Sequence, residues 1–274
     1  MTPGAAIDAA ALHAALPALL ERIAAEIFAD PVEVAEKGDS GLDFVTSVDL
    51  AVQARLEAEL AMLLPGSAVV GEEGFAGMDT STRPVWLVDP LDGTVNFVAG
   101  LPAFAIAVVL VVSGAPVLAA VRDIVQGTTY SAIAGGGAFR DGAPMARRGH
   151  GARLAVLSSG LLADLAAHSP ETLSRLLRSF KLRNLGSQAL HLCHAAAGHV
   201  SLVASREARG WDDLAGALIA REAGLRYGHY AGSEQGISPG IGAEQHSLCA
   251  PADLFDTHVS DFALSLGPRK GPTP

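Results

Sequence analysis

Apolar and polar positions along the 274 residues follow two periods, one helical and one of strands. Between Ile7 and Phe28, the residues Leu12, Leu16, Leu19, Leu20, Ile23 and Ile27 fall on one face and predict an amphipathic helix. Pro17 must kink that helix or mark a restart, and Pro31 stops it. Glu33 to Leu42 is polar and contains glycine, the pattern of a loop. Thr46 or Ser47 can cap a second helix, with Asp49 in its first turn and Val52, Leu56, Leu60 and Leu63 on its apolar face. Pro65-Gly66 ends it. Ser67–Val70 and Val85–Val88 are short apolar runs that read as strands. The second should end at Asp89, because Pro90 forbids simple continuation of a central strand.

Phe104–Val112 and Val117–Val121 read as buried strands joined by the turn Ser113-Gly114-Ala115-Pro116. Thr128–Ile133 and Ala138–Arg140 form a further hairpin around Gly135-Gly136-Gly137, with Asp141-Gly142 as the next turn. The glycine run is no dinucleotide fingerprint, since no helical pattern follows it. Gly149-His150-Gly151 has the look of a hinge. Beyond it come a strand (Leu154–Ser158), a helix (Pro170–Phe180), a strand (Leu182–Leu185), a helix (Ser187–Ala197) and a strand (Val200–Ala204). Asp212 is placed to cap a helix from Asp213 to Ala223 that stops at Gly224. Gln245–Ala250 is a last strand, Pro251–Leu266 a closing helix, and Gly267 to Pro274 a Pro/Gly tail expected to be disordered. The alternation is that of an α/β protein with mixed sheets, and no internal repeat is present.

Half of the residues are hydrophobic, enough for one large domain or two closely joined ones. No charge occurs between Asp92 and Arg122, a span long enough for a bilayer. Gly93, Asn96, Gly100, Pro102, Ser113, Gly114 and Pro116 interrupt it, so two strands are the expectation and a membrane partner is not. The N-terminus lacks a basic region followed by an apolar run, and a cytoplasmic location is expected. A net charge of −10 argues against binding the nucleic-acid backbone. Cys193 and Cys249 cannot supply a zinc site or a disulfide framework and are expected as buried thiols. His191, His194 and His199 are expected to be packed or solvated rather than ligands.

Candidate chemistry gathers at strand ends. Asp89 and Asp92 stand three residues apart on a stiff turn, and Gly93 can take a positive φ. Gly93 and Thr94 add backbone N–H groups and a hydroxyl. Such a set suits Mg²⁺ and a phosphate, yet a solvated Asp-Gly turn would look the same. Glu72 and Glu73 follow an apolar strand by two residues, as a surface pair or as two more strand-end carboxylates. A cluster of such carboxylates is costly without a cation.

Four segments in order resemble the signatures of the inositol monophosphatase family of Mg²⁺-dependent phosphatases. They are Asp43-Phe44-Val45-Thr46-Ser47-Val48-Asp49, Gly71-Glu72-Glu73, Asp89-Pro90-Leu91-Asp92-Gly93-Thr94-Val95-Asn96-Phe97, and Trp211-Asp212-Asp213-Leu214-Ala215-Gly216 running on to Glu222-Ala223-Gly224. The resemblance spans Lys37 to Gly224 and implies a layered αβαβα sugar-phosphatase fold with two mixed-sheet lobes. An N-terminal lobe, 1–148, would carry most metal ligands. A C-terminal lobe, 149–274, would carry the substrate loop and Asp212.

The implied reaction is hydrolysis of a small phosphomonoester by water, with two or three Mg²⁺ ions in a homodimeric, lithium-sensitive enzyme. Glu72, Asp89 and the Leu91 carbonyl would hold one ion, and Asp89, Asp92 and Asp212 a second. Glu73 stands further out, toward a third. Glu72 with Thr94 would activate the water, and Thr46 and Asp49 resemble the pair beside it, although a helix cap explains them equally. Gly93 and Thr94 N–H groups would hold phosphate. By this register Asp212 is the ligand and Asp213 a first-turn charge facing the helix dipole.

Gly186-Ser187-Gln188-Ala189 resembles the substrate loop. Ser205 stands where the inositol phosphatases carry a glutamate seven residues before the motif aspartate, with Glu207 two residues on. Leu225 replaces a second glycine. Bisphosphate nucleotidase, fructose bisphosphatase and histidinol phosphatase specificities therefore stay open. So does a regulatory protein–protein or RNA-linked role on the same fold. A family lysine falls near Lys37.

Overall fold

The computed structural model describes residues 7–28, 33–36, 44–73, 75, 82–147, 149, 151–230 and 240–265. Pro31, Lys37, Asp43, His150 and the tail 267–274 lie outside the described residues. Helix α1 spans Ala9–Ile27, capped by Asp8, whose Oδ1 accepts the Ala11 N–H at 3.0 Å. It runs through Pro17 as one helix, so no restart occurs there. β1 (Val34–Glu36) pairs antiparallel with β2 (Phe44–Thr46), so part of the expected loop from Glu33 is strand. A three-residue ladder draws its order from its partner, which local composition does not display. α2 (Ser47–Leu63) starts at the Thr46 cap and buries Val52, Leu56 and Leu60.

Next come β3 (Ala68–Gly71), β4 (Val85–Asp92), α3 (Thr94–Ala99), β5 (Ala105–Val112), β6 (Ala115–Asp123), β7 (Thr128–Ile133), β8 (Gly137–Arg140) and β9 (Ala143–Pro144). These seven strands form one sheet in chain order, with β3 and β4 parallel and every other neighbour antiparallel. β4 does not end at Asp89. Asp89 pairs with Ala107 and Asp92 with Ala105, so Pro90 and Leu91 together oppose Ile106 in a bulge. β3 pairs with β4 only as far as Val88. Pro90 therefore meets no ladder position that needs its missing N–H, which is how a proline enters a central strand.

The second half contains β10 (Leu154–Leu157), α4 (Ser159–His168), α5 (Pro170–Ser179), β11 (Lys181–Arg183), α6 (Gln188–Ala197), β12 (Leu202–Ser205), α7 (Gly210–Glu222), β13 (Arg226–His229), β14 (Ser247–Ala250) and α8 (Ala252–Ser265). Five of its strands make a mixed sheet in the order β11-β10-β12-β14-β13. α4 and β13 carry no sequence expectation, and neither does α3.

Side-chain alternation sorts these elements into layers. Trp86, Val88, Ile106, Val108 and Leu110 face α1 and α2 in one buried cluster. Val85, Leu87, Ala107 and Val109 face the other way, onto α6 and α7, in a cluster that also holds Val156, Val203 and Cys249 of the second sheet. Ala155, Leu157, Leu202 and Leu248 point onward to α4, α5 and α8. The result is the expected αβαβα stack, and sheets covered on both faces explain the nearly unbroken apolar runs of β4 and β5.

Two close approaches fix the middle layer. A Cβ on Gly216 would lie 2.6 Å from Leu192 Cβ and 3.2 Å from the Ala189 carbonyl, so only glycine lets α7 sit this near α6. At the other end of α7, the Glu222 carboxylate accepts the N–H groups of Gly135 and Gly137, both at 2.9 Å, in the turn between β7 and β8. Among the described residues, no helix is long and apolar enough to cross a membrane.

Candidate active site

The chain folds its strand-end acids toward one point. Glu72 follows β3, Asp89 stands at the bulge of β4, and Asp212 is the third residue of α7. One carboxylate oxygen from each lies within 4.8 Å of the others. Among the described residues this is the group able to hold a metal ion. Asp89 is buried, and Leu91 donates its N–H to Asp89 Oδ1 at 3.0 Å. Its carboxyl is pushed well above the usual range by burial first, then by the charges of Glu72, Asp92 and Asp212. Asp212 is raised likewise, by burial and then by Asp92. Three hard oxygen donors of like charge, one buried and two half-buried, are a donor set that Mg²⁺ fits.

Asp212 is not the cap of its helix. Arg209 is the N-cap, and its N–H donates to Asp212 Oδ2 at 2.7 Å. The helix begins earlier than expected because Gly210 N–H is satisfied by the Ile241 carbonyl at 2.8 Å, a contact with a distant segment. Asp212 still lies in the first turn, at the positive end of the helix.

Asp92 stands beside this group and is gripped by the start of α6. Its Oδ2 accepts Ser187 Oγ at 2.5 Å and Ala189 N–H at 2.7 Å, and its Oδ1 accepts Gln188 N–H at 3.0 Å. Burial raises its pKa to about 6, those three donors hold it down, and the Glu72 charge adds to the rise. Ser187 also caps α6, so one hydroxyl serves both that helix and Asp92 at the end of β4. Glu73 lies outside the three-carboxylate group. Its backbone is held by Gln53, which accepts the Glu73 N–H at 3.1 Å and donates to the Glu73 carbonyl at 3.0 Å.

Thr46, Asp49 and Thr94 form a chain. Thr46 is the N-cap of α2, and Asp49 Oδ2 accepts its N–H at 2.8 Å and its hydroxyl at 2.5 Å. Thr94 Oγ1 lies 3.1 Å from Asp49 Oδ1 and 2.9 Å from the Leu91 carbonyl, as donor to either. The pair is thus both a helix cap and a support for Thr94. Gly93 takes φ +100°, and a Cβ there would meet the Ala103 carbonyl at 2.9 Å and the Gly186 carbonyl at 3.2 Å. The first intrahelical donor of α3 is Phe97, to Gly93, so the N–H groups before it have no partner within the helix.

A cavity of about 250 Å³ opens here, lined by Asp92, Gln188, Ser158, Ser205, Glu207 and Asp212 among others. Ser205 is buried, and its Oγ accepts the Ala208 N–H at 3.3 Å. Glu207 is tied to the first turn of α4, accepting Ser158 Oγ at 2.5 Å and Gly160 N–H at 3.0 Å. A larger cavity of about 390 Å³, by Leu214, Arg226 and Phe255, touches none of the acidic group. His191 is buried, accepts the Leu185 N–H at 2.9 Å, and is lowered to about 3, first by burial and then by His194. Cys193 and Cys249 are free and buried.

Asp213 stands in the first turn of α7, as expected, and does more there. It is fully buried, and its oxygens accept Gln188 Nε2 at 2.8 Å and Tyr227 Oη at 2.5 Å. The signal was present in the sequence. Leu214 to Ala220 is apolar throughout, so α7 has no solvent face there to receive a charge. Asn96 was also missed: its Nδ2 donates to the Ala103 and Leu185 carbonyls, at 2.7 and 2.5 Å, and so braces Gly186.

Comparisons with known proteins bear on the family and the fold. A family model described as the inositol monophosphatase family matches residues 4–261. Inositol-1-monophosphatase SuhB of Mycobacterium tuberculosis is 38% identical over 205 residues, which are 68% of this chain and 69% of that one. Nus factor SuhB of Vibrio cholerae is 32% identical over 219 residues, 77% of this chain and 80% of that one. A solved IMPase/NADP phosphatase complexed with Mg²⁺ and phosphate shares the fold, with a TM-score of 0.75 at 22% identity over 92% of each chain.

Proposed function

The chain belongs to the inositol monophosphatase family, and on that premise we propose that it hydrolyses a small phosphomonoester with Mg²⁺ held by Glu72, Asp89 and Asp212. The observation that carries this reading is the three-carboxylate group gathered around the buried Asp89, whose carboxyl is raised by burial and by the neighbouring charges, an arrangement that calls for a cation. Bound there, Mg²⁺ lowers the pKa of water and offsets negative charge on the phosphoryl group. Asp92 and the Leu91 carbonyl, beside the group, are the proposed further ligands, with Glu73 toward a third ion.

The protein's own residues do the rest. Thr94 has one proton and two acceptors within reach. With that proton on Asp49, its oxygen is left to accept a hydrogen bond from the attacking water, and Thr46 fixes Asp49 in place. Glu72 takes the water's proton. The N–H groups of Gly93 and Thr94 orient the phosphate oxygens. Ser187 and Gln188 hold Asp92, while Ser205 and Glu207 wall the cavity where the alcohol portion sits. Serine at 205 is too short for the role of a glutamate, which supports bisphosphate nucleotidase, fructose bisphosphatase or histidinol phosphatase specificity beside an inositol phosphate. A homodimer, cytoplasmic location and lithium sensitivity belong to the same reading.

A phosphate-release assay on a panel of phosphomonoesters tests it. Release is expected with Mg²⁺, is lost in chelator and returns when Mg²⁺ is added back. Turnover that survives chelation overturns the reading. The likeness to a Nus factor SuhB supports a second reading, a regulatory protein–protein or RNA-linked role. That role would survive Asp89→Asn, whereas phosphatase activity would not.

A further inference from the structure

Asp213 lies next to the candidate ligand Asp212 but faces the interior, where three elements converge on it. Gln188 at the start of α6 donates to one carboxylate oxygen, and Tyr227 of β13 donates to the other. Ser247 of β14 stands close enough to help hold the Asp213 pKa down. A buried carboxylate is tolerated only when such donors satisfy it. The choice of Gln188 as one of them has a consequence for the site. Gln188 is the residue whose backbone N–H holds Asp92 Oδ1, flanked by the Ser187 hydroxyl and the Ala189 N–H on Asp92 Oδ2. Gln188 also lines the cavity beside the acidic group. Its side-chain Nε2 is held by Asp213, and its Oε1 lies 3.4 Å from His191 Nδ1.

We propose that Asp213 is a positioning residue: through Gln188 it locks the start of α6 to the start of α7, and so sets Asp92 and Asp212 relative to Asp89. The chain of contact is short and continuous. Asp212 and Asp213 are neighbours on α7, Asp213 binds the Gln188 side chain, and the Gln188 backbone binds Asp92 in the other lobe. Without the Asp213 acceptor, Gln188 Nε2 loses its buried partner and re-aims toward the cavity. The grip on Asp92 then loosens, and metal affinity falls although no ligand has been removed. Only the kinetic arm of this inference rests on the phosphatase reading.

The test compares wild type, Asp213→Ala, Gln188→Ala and the double variant as full-length proteins. Mg²⁺ affinity is measured by calorimetry, kcat and KM on the best phosphomonoester, and Tm in chelator. Asp213→Ala, which leaves Gln188 Nε2 no acceptor there, is expected to weaken Mg²⁺ binding about tenfold or more, as loss of a residue that orients ligands does. The drop in activity should appear in kcat more than in KM. The double variant should be no worse than Gln188→Ala alone, because both substitutions break one link. A lowered Tm with Mg²⁺ affinity and kcat within about twofold of wild type would make Asp213 a packing residue only and overturn the proposal, as would effects that add in the double variant. Should Asp213→Ala fail to fold, Gln188→Ala decides alone, and unchanged Mg²⁺ affinity there overturns it. A wild type that binds Mg²⁺ but releases no phosphate, with weaker binding in the variants, removes the phosphatase reading and leaves the positioning role standing. A wild type that binds no Mg²⁺ removes both.

Discussion

At the scale of single residues, Asp89 is the most exposed to test. It is buried among three other acids and accepts one backbone N–H. Asp89→Asn should reduce phosphate release by about 10²-fold or more, as removal of a central electrostatic element does. In chelator its Tm should hold or rise, since one repelling charge leaves the cluster. A fall of several degrees in that metal-free Tm would show that the carboxylate stabilises the fold in its own right. The sequence pointed to Glu72, Asp89 and Asp212 because short motifs carry them. It gave Asp213 its first-turn place but not its surroundings, which are set by Gln188, Tyr227 and Ser247, residues 25, 14 and 34 positions away along the chain. Local order cannot show a partner that only the fold supplies.

At the scale of elements, legibility followed periodicity. α1, α2, α6 and the strands β5 to β8 were readable because each buries a regular face or a continuous apolar run. β4 was read too short, since the rule against proline in a central strand holds for a paired ladder and Pro90 sits in a bulge. α3 and α4 are short, and their starts depend on contacts with Gly93 and Glu207 rather than on a long repeating pattern. The packing of α6 on α7 supports a test with opposing signs. Helix propensity alone would make Gly216→Ala stabilising by about 1 kcal/mol. The added Cβ would instead lie 2.6 Å from Leu192 Cβ, an atom fixed to the backbone that cannot swing aside. Overpacking of this kind costs about 1–3 kcal/mol, so the clash should win and thermal unfolding should show a lower Tm. A higher Tm would mean that the two helices stand further apart than described.

At the scale of the whole molecule, the acidic group makes stability depend on pH and metal together. Asp89, Asp92 and Asp212 are all raised in the metal-free fold, Asp92 to about 6. Aspartates of the unfolded chain titrate near about 3.9. The folded state then binds more protons across this window, so metal-free stability declines as pH rises from about 4 through 6. Mg²⁺ offsets the exposed repulsion, and its stabilising effect should be larger at pH 8 than at pH 5, read as the difference in Tm with and without chelator. Equal gains at both values would place the metal away from these acids. The Glu222 carboxylate, far along α7 from Asp212, offers a separate gauge of the same assembly. It closes over the amides of Gly135 and Gly137 in the first sheet. Those two protons trade with deuterium from solvent when the Glu222 carboxylate lets them go, so their exchange rates time how often the far end of α7 loses its hold on that turn.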